Sequence, residues 1–370
     1  MKSDEIGSSI DTITAEAIEN SAASLIPEGS ILIVVRSGIL ARTVPTALTT
    51  REVAVNQDIK ALCPVRTVDN RYLHYFLRGA ERKILLLVTR GATVHRLSTD
   101  NLRSFPIPIP PLPEQKRIVA ILDEAFEGID TAVANTKKNL ANARALFDGL
   151  LQSALSGQGK IWIEKKLSDV CERITDGTHQ TPTYYDKGIV FLSSRNVTSG
   201  KIDWRNIKYI DEKQHLEMHK RVAPKMGDIL LAKNGTTGVA AIVDRDVVFD
   251  IYVSLALLRA KREIDHRFLL YFVNSPIAKK QFNKRLKGIG VPNLHLEEIR
   301  EVVVSFPHSI QEQRLIVSKL DNVAAEVGRV EDVCQKKLNN LAELKQAILH
   351  KAFSGGLTAH PEKALQAAAE

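Results

Sequence analysis

The chain has 370 residues, of which 44% are hydrophobic and 25% are charged, and its formal net charge is +8. This length allows two or three domains with separate cores, and the composition is that of an ordinary globular protein. No apolar run approaches the roughly 20 residues that a membrane-spanning helix needs. Most of the basic excess lies in residues 158–307. A polyanionic partner would account for such an excess.

The composition also argues against several other classes of protein. The N-terminal residues 1–5 are polar and include no apolar stretch, so we expect no secretory signal and a cytoplasmic location. Neither a phosphate-binding loop, nor a dinucleotide-binding glycine motif, nor an amino-methyltransferase tetrad is present. The cysteines and several histidines have no metal-ligand spacing, and we expect buried thiols and surface or hydrogen-bonded histidines. These residues are Cys63, Cys171, Cys334, His179, His215, His219 and His295.

Residues 1–109 predict a first α+β domain with short β-rich runs and turn signals. The loop Arg36-Ser37-Gly38 offers a guanidinium, a hydroxyl and a flexible backbone, and Arg96 lies in a second basic segment. We interpret Arg36, Ser37 and Arg96 as candidate DNA contacts of this domain.

Residues 110–157 predict a first long helix. Pro111 and Pro113 mark its start and Gly157 marks its end. Heptad spacing predicts a helix-pairing seam. Its candidate members in this helix are Leu122, Ile129, Leu146 and Leu150.

Residues 158–307 predict a second α+β domain, with strands such as 189–192 and helical stretches near 212–220 and 267–286. After one predicted strand comes Lys233-Asn-Gly-Thr-Thr-Gly238, whose glycines would let the backbone approach a phosphate. The candidate contacts there are Lys233, Asn234, Thr236 and Thr237. An ordinary hairpin turn is the alternative.

Two further segments of the second domain have nucleic-acid-binding chemistry. Lys280, Lys284 and Lys287 share a helix face before a glycine loop that ends at Asn293, which predicts phosphate contacts, although a solvated face is equally consistent. The other segment combines amide, imidazole and guanidinium groups, the first and last of which pair bidentately with base edges. Its candidates are Thr178, His179, Gln180, Arg195 and Asn196.

Residues 308–356 predict a second long helix, followed by a tail at 357–370. Ser309 and Glu312 form a capping box at its start, and Gly355 marks its end. The candidate pairing residues are Leu320, Val327, Leu341, Leu344 and Ile348. We expect the two long helices to pair as an antiparallel coiled coil, the alternative being two unrelated helices of a bundle.

An internal repeat relates the two halves. Glu114-Gln115 recurs as Glu312-Gln313 and Leu122-Asp123 as Leu320-Asp321, at a constant offset of 198 positions through both helices. Upstream matches, such as 71–76 with 267–272, extend the repeat into the domains. Residues 161 to about 206 have no counterpart in the first copy, so we expect the first domain to be incomplete at its N-terminal side.

A family resemblance follows from several motifs together. The second copy begins with a motif formed by Trp162, Leu167, Asp169 and Val170. The segment Gly227-Asp-Ile-Leu230 and its glycine loop follow. The copy ends with a Glu-Gln pair and a long helix. Over nearly the whole chain, this arrangement resembles the DNA-specificity subunit of type I restriction-modification systems. The departure from the pattern is the short first domain.

The resemblance implies two target-recognition domains that read the halves of a bipartite site in double-stranded DNA. It also implies two helices that set the spacer and dock two modification subunits, together with restriction subunits. S-adenosylmethionine, ATP and Mg²⁺ are then expected on those partners, with no cofactor or metal on this non-catalytic chain and no membrane partner. The alternatives are a degenerate or phase-variable cassette, a coiled-coil scaffold without DNA, and a stand-alone nuclease.

Overall fold

The structure, a computed structural model, describes residues 3–21, 23–63, 65–157, 162–198, 200–235, 237–286 and 293–354. The chain divides into a first unit, Met1–Lys138 with Cys334–Glu370, and a second unit, Asn139–Val333. Both units combine helices and sheets, which confirms the predicted α+β class. Within the described ranges, no helix is long and apolar enough to cross a membrane.

The first unit contains a small sheet covered by a helix. Its strands are β1 (Glu5–Ile6), β2 (Leu25–Ile26), β3 (Ile31–Val34), β4 (Arg36–Ser37), β5 (Thr46–Thr49), β6 (Val53–Ala54), β7 (Ile59–Leu62), β8 (Val88–Thr89) and β9 (His95–Leu97). Its short helices are α1 (Ala15–Glu19), α2 (Asn70–Gly79), α3 (Glu81–Leu85) and α4 (Thr99–Arg103). The main sheet has the order β1-β5-β3-β7, and β3 is antiparallel to both of its neighbours. Ile31, Leu73 and Leu77 are buried in the core beneath it.

The second unit has a larger core and, among its described residues, three sheets. The long helix α5 (Leu112–Leu155) enters it from the first unit. The strands are β10 (Ile163–Lys166), β11 (Cys171–Asp176), β12 (Ile189–Leu192), β13 (Lys208–Ile210), β14 (Ile229–Ala232), β15 (Ala240–Ile242), β16 (Phe249–Ile251), β17 (Leu255–Ala260) and β18 (Val303–Phe306). The sheets have the orders β11-β17-β14-β15, β13-β12-β16 and β10-β18. The helices are α6 (Leu167–Val170), α7 (Glu212–Arg221), α8 (His266–Asn274), α9 (Pro276–Asn283), α10 (Leu296–Arg300) and the long α11 (Ile310–Phe353), which ends in the first unit.

The stretch 267–286, predicted as one helical run, is two helices. Ser275 ends α8 in an extended conformation and its hydroxyl accepts a hydrogen bond from the backbone N–H of Ala278. Pro276 begins α9, a position where its missing N–H costs nothing. The break at Ser275 therefore separates the lysine-bearing α9 from α8.

Three strands of the central sheet, β3, β5 and β7, correspond to β14, β15 and β17 of the second unit. Ile31 on β3 pairs with residues of β5 and β7, and Ile229 on β14 pairs in the same way with residues of β15 and β17. In the second unit β11 continues the sheet beyond β17, whereas among the described residues no strand pairs with the outer edge of β7. The stretch without a counterpart in the first copy therefore supplies β11 and β12, and β12 is the centre of the second sheet, β13-β12-β16.

Opposite ends of the long helices pack together in each unit. In the first unit, Leu122 and Ile129 of α5 share a core with Leu341 and Leu349 of α11, and Lys345 Nζ contacts Asp130 Oδ1 at 2.9 Å. In the second unit, Leu151 of α5 shares a core with Val317 and Leu320 of α11, and Arg144 Nε lies 2.6 Å from Glu331 Oε1. These contacts follow the predicted antiparallel direction.

The predicted heptad seam needs correction at three positions. Leu146, Leu150 and Leu344 have exposures of 64%, 42% and 47% and do not pack in the interior. Val327, Leu341 and Ile348 are half-buried. A strict seven-residue repeat drifts by about 20° per heptad around a straight helix, so a seam cannot hold over its whole length. Towards the ends of α5 and α11, Leu151 and Leu349 are buried instead.

A buried glutamine fastens each domain to the start of a long helix. Gln115 Oε1 accepts a hydrogen bond from the backbone N–H of Asp69 at 2.8 Å, and Gln313 Oε1 accepts one from the N–H of Asp265 at 2.7 Å. The amide nitrogens of both glutamines donate to backbone carbonyls on either side. Both glutamines are fully buried. The repeated Glu-Gln motif is therefore a junction between domain and helix.

A tyrosine and an aspartate form a second repeated junction. Tyr75 donates to Asp123 Oδ1 at 2.6 Å, and Tyr271 donates to Asp321 Oδ1 at 2.7 Å. Burial, followed by the hydrogen bond to Asp123, raises the pKa of Tyr75 to about 12, and the same causes raise the pKa of Tyr271. The motif is thus structural in both units.

Candidate nucleic-acid interface

The first unit pairs two arginines at the end of its central strand. Arg36 on β4 lies directly opposite Arg96 on β9 in an antiparallel register, and both residues are exposed. Arg36 Nη1 lies 3.7 Å from Asp58 Oδ1, while the hydroxyl of Ser37 caps the turn Gly38–Ala41. Like charges opposite one another on neighbouring strands are unfavourable by themselves. The pair is therefore well suited to an anionic or electronegative ligand.

The second unit places two asparagines at the equivalent position. Asn234 follows β14 as Arg36 follows β3, and it bridges to Asn293, which precedes Leu294 as Arg96 precedes Leu97. The side-chain oxygens of Asn234 and Asn293 are buried, and each lacks a hydrogen-bond partner among the described residues. Thr237 Oγ1 donates to the carbonyl of Lys233 at 3.2 Å. Thr236 and Lys287 lie outside the described residues.

Lys233 is not available as a phosphate contact. It is 5% exposed, and its Nζ donates to Asp176 Oδ2 at 2.6 Å. Arg221 Nη2 donates to the other oxygen of the same carboxylate at 2.7 Å. Burial alone would raise the pKa of Asp176, but the hydrogen bonds from Lys233 and Arg221 outweigh it and hold the pKa below its usual range. The predicted role of Lys233 is thus replaced by a buried ion pair.

The loop after β11 presents exposed polar side chains. Thr178 pairs with Tyr252, and its hydroxyl accepts a hydrogen bond from the backbone N–H of Gln180. A Cβ added at Gly177 would lie 1.8 Å from the carbonyl oxygen of Ile251, so only glycine fits there. His179 and Gln180 are exposed, although His179 Nε2 is 3.3 Å from Asp176 Oδ1. The close approach at Gly177 fixes the base of the loop.

Arg195 and Asn196 have different environments. Arg195 is exposed, as a DNA contact requires. Asn196 is 6% exposed, and its amide group bonds to the N–H of Ser193 and to the carbonyls of Asp203 and Asn206. The predicted reading role of Asn196 is therefore wrong, because its hydrogen-bonding capacity is used to hold the following loop together.

Lys280 and Lys284 are exposed at the end of α9. Together with Lys279 and Asp148 they line a shallow groove of about 520 Å³. Sequence reasoning missed a second exposed feature, in which Lys208 Nζ lies 3.7 Å from the ring centroid of Tyr184. No spacing signal in the sequence connects these two residues, which become neighbours only through the fold.

The histidines need a correction as well. His215 Nδ1 lies 2.6 Å from Asp250 Oδ2, and His219 Nδ1 lies 3.0 Å from Asp250 Oδ1. The sequence shows no cluster because Asp250 comes from a different element, β16. The four-residue spacing of the two histidines on α7 was the signal that could have found it.

Two related α/β units, each joined to long helices and each with a paired polar position at the end of its central strand, define a two-domain recognition protein. The family model described as "Type I restriction modification DNA specificity domain" matches residues 3–142 and 160–340. The chain belongs to this family.

Individual relatives agree with this assignment. The chain is 26% identical over 327 residues to the type I restriction enzyme EcoBI specificity subunit of Escherichia coli, covering 80% of this chain and 69% of that protein. It is 24% identical over 307 residues to the MjaVIII specificity subunit of Methanocaldococcus jannaschii, covering 78% and 71%. A solved chain from a study of complex assembly and conformational transition of the type I R-M system has a TM-score of 0.71 at 22% identity, covering 91% of this chain and 85% of that chain. That likeness shows a shared fold.

Proposed function

We propose that this chain is the DNA-specificity subunit of a type I restriction-modification complex and that each unit reads one half of a bipartite target. The observation that carries the proposal is that each unit exposes its own set of polar side chains, Arg36 and Arg96 in one unit and Gln180 and Arg195 in the other. Two sets with different hydrogen-bonding chemistry are what two readers of different sequences need.

The chemistry of the pairs gives the proposal its detail. Arginine makes bidentate contacts with guanine O6 and N7, and asparagine makes them with adenine N6 and N7. The half-site of the first unit should therefore include guanine near Arg36 and Arg96. In the second unit the side-chain oxygens of Asn234 and Asn293 are buried, so we expect the adenine contact from the exposed Gln180, whose amide group has the same geometry. Arg195 adds another exposed candidate to the second unit. Lys280 and Lys284 would contact phosphates without reading sequence.

The proposed partners are two modification subunits, followed by restriction subunits. Leu146 on α5 and Leu344 on α11 occupy equivalent positions of the repeat, and both are exposed. Exposed leucines at matching places on two helices are suited to two copies of one apolar partner surface. S-adenosylmethionine, ATP and Mg²⁺ belong in this scheme to the partners, where catalysis takes place, and the complex acts in the cytoplasm.

Two other functions would give different results when assembly with the partners and binding to DNA are both measured. A degenerate or phase-variable cassette would assemble with its partners but discriminate poorly at the first half-site, since no strand among the described residues of that unit corresponds to β11 or β12. A protein scaffold without DNA would assemble and show no preference for any sequence.

DNA binding tests the proposal directly. The full chain is purified with its modification subunit, methylated sites are mapped in the genome, and binding to a fragment with one mapped site is measured against random competitor. We expect a preference of about 1000-fold or more for the mapped site, the lower bound of specific recognition. Arg96→Ala should weaken the preference for the mapped site. Arg51→Ala, which lies at the opposite end of the β3–β5 ladder, is the matched control and should leave that preference unchanged. Equal affinity for both DNAs would refute the proposal.

A further inference from the structure

A buried carboxylate in the second unit faces two imidazoles. Asp250 is the middle residue of β16 and is fully buried. Each of its two oxygens lies against a ring nitrogen of a different histidine, His215 or His219. No lysine or arginine among the described residues forms an ion pair with Asp250. A buried carboxylate without a fixed cation requires another source of positive charge.

The donor set is that of a transition-metal site. His215 and His219 are four residues apart on α7 and so share one helix face. One ring nitrogen of each histidine and a carboxylate oxygen of Asp250 lie within 4.8 Å of one another. Two imidazoles and one carboxylate on one side of an ion leave its other positions open, an arrangement that favours zinc, iron and similar ions over Mg²⁺ or Ca²⁺.

The distances fit with small movements. Bonds of about 2.1 Å to a tetrahedral ion separate its ligand atoms by about 3.4 Å. The present separations from Asp250 are 2.6 and 3.0 Å, so the ring nitrogens would move outward by less than about 1 Å. The side chains of His215 and His219 are 14% and 32% exposed, which leaves an ion a route from solvent.

We propose that His215, His219 and Asp250 bind one divalent transition-metal ion, with Zn²⁺ as the probe. The ion ties α7 to β16. It replaces the two hydrogen bonds of Asp250, and each imidazole remains neutral with its proton on Nε2. Such a site is structural and independent of any chemistry on DNA.

Zinc binding to the full chain tests the proposal. Titration calorimetry of the metal-free protein with ZnCl₂ should give one site per chain. Asp250→Asn, which keeps the shape of the buried side chain, and His219→Gln, at a partly exposed position, should each weaken binding by at least about 100-fold, because loss of an outer partner already costs 10- to 100-fold. His308→Gln, an exposed histidine in the same unit, is the matched control and should bind as the wild type does.

Two further measurements distinguish the loss of a metal ligand from a failure of the variant to fold. Zn²⁺ should raise the melting temperature of the wild type and leave that of His219→Gln unchanged, while Mg²⁺ should affect neither. Co²⁺ should give visible d–d absorption in the wild type that is absent in His219→Gln. Absence of Zn²⁺ binding by the wild type, or undiminished binding by both ligand variants, would overturn the proposal.

A consequence for recognition rests on the proposed function. Gln214 at the start of α7 exchanges hydrogen bonds with the backbone of Thr183, in the loop that begins at Gly177. A metal that fixes α7 should steady this loop, so chelation should reduce discrimination at the second half-site and leave the first unchanged. Because Zn²⁺ binding is measured without DNA, failure of the metal site and failure of DNA recognition are distinguishable.

Discussion

At the scale of single residues, burial decides whether a polar side chain is available to a ligand. Lys233 and Asn196 have the residue types that bind nucleic acid, yet the fold uses both internally. Gln180, Arg195 and Arg96 have the same kind of chemistry and are exposed. Sequence identifies such candidates by type, but it cannot separate the two groups, because separation depends on which strands come together around them.

Lys233→Met should destabilise the second unit. Leaving a buried charge with no partner costs about 3–5 kcal/mol, and because Arg221 still pairs with Asp176 we expect a loss below that range, of about 1–3 kcal/mol. Urea unfolding measures this loss of stability. Lys284→Met, at an exposed position, is the control and should leave the free energy of unfolding almost unchanged. Unchanged stability together with weaker DNA binding would instead restore Lys233 as a phosphate contact.

His74 should make the first unit sensitive to mild acid. Burial, followed by repulsion from Arg78, lowers the pKa of His74 to about 4. Since the unfolded chain binds this proton near pH 6.5, stability is present above that pH and is lost as the pH falls towards 4. The free energy of unfolding that is lost over this pH range is about 3 kcal/mol.

Urea unfolding at several pH values, compared with His74→Gln, measures this contribution. The wild type should lose stability between pH 6.5 and 4 relative to the variant. Parallel profiles of the two proteins would contradict the prediction.

At the scale of elements, the internal repeat of the sequence was the strongest predictor of where helices and their contacts lie. The constant offset of 198 placed both long helices and aligned Gln115 with Gln313, whose contacts prove to be equivalent. The upstream match of 71–76 with 267–272 aligned Tyr75 with Tyr271, whose contacts are equivalent as well. The heptad pattern predicted less well at Leu146 and Leu344, because a seven-residue repeat drifts around a straight helix. The cluster at Asp250 joins residues from α7 and β16, so no local pattern contains it.

Leu344→Asp and Leu146→Asp should each remove one modification subunit without unfolding the chain. Both leucines are exposed, so we expect a stability change within about 0.5 kcal/mol and a loss of the apolar contact with the partner. Native mass spectrometry of the complex counts the subunits, and the double variant should bind none. The matched control is Leu86→Asp, a leucine with 86% exposure outside the long helices. Full assembly of the double variant would exclude these residues as the docking site.

At the scale of the whole molecule, each of the two units has a central sheet of its own with the same inner strands, and the units differ in what surrounds that sheet. The second unit adds β11 and the sheet centred on β12, and with them the exposed loop that begins at Gly177. The sequence predicted this difference as a stretch without a counterpart. It could not predict that the first unit, without that stretch, still builds a core around Ile31, Leu77 and Ile84. The two units therefore have unequal numbers of candidate base contacts.

Base-by-base substitution of the target DNA, with Arg96→Ala and Gln180→Ala compared with the wild-type complex, tests whether each unit reads its own half-site. We predict that Arg96→Ala relaxes discrimination at positions of one half-site and Gln180→Ala at positions of the other, each by about 1–3 kcal/mol, with the wild type more stringent in the second half. Relaxation of both halves by either variant, or of neither, would contradict the account.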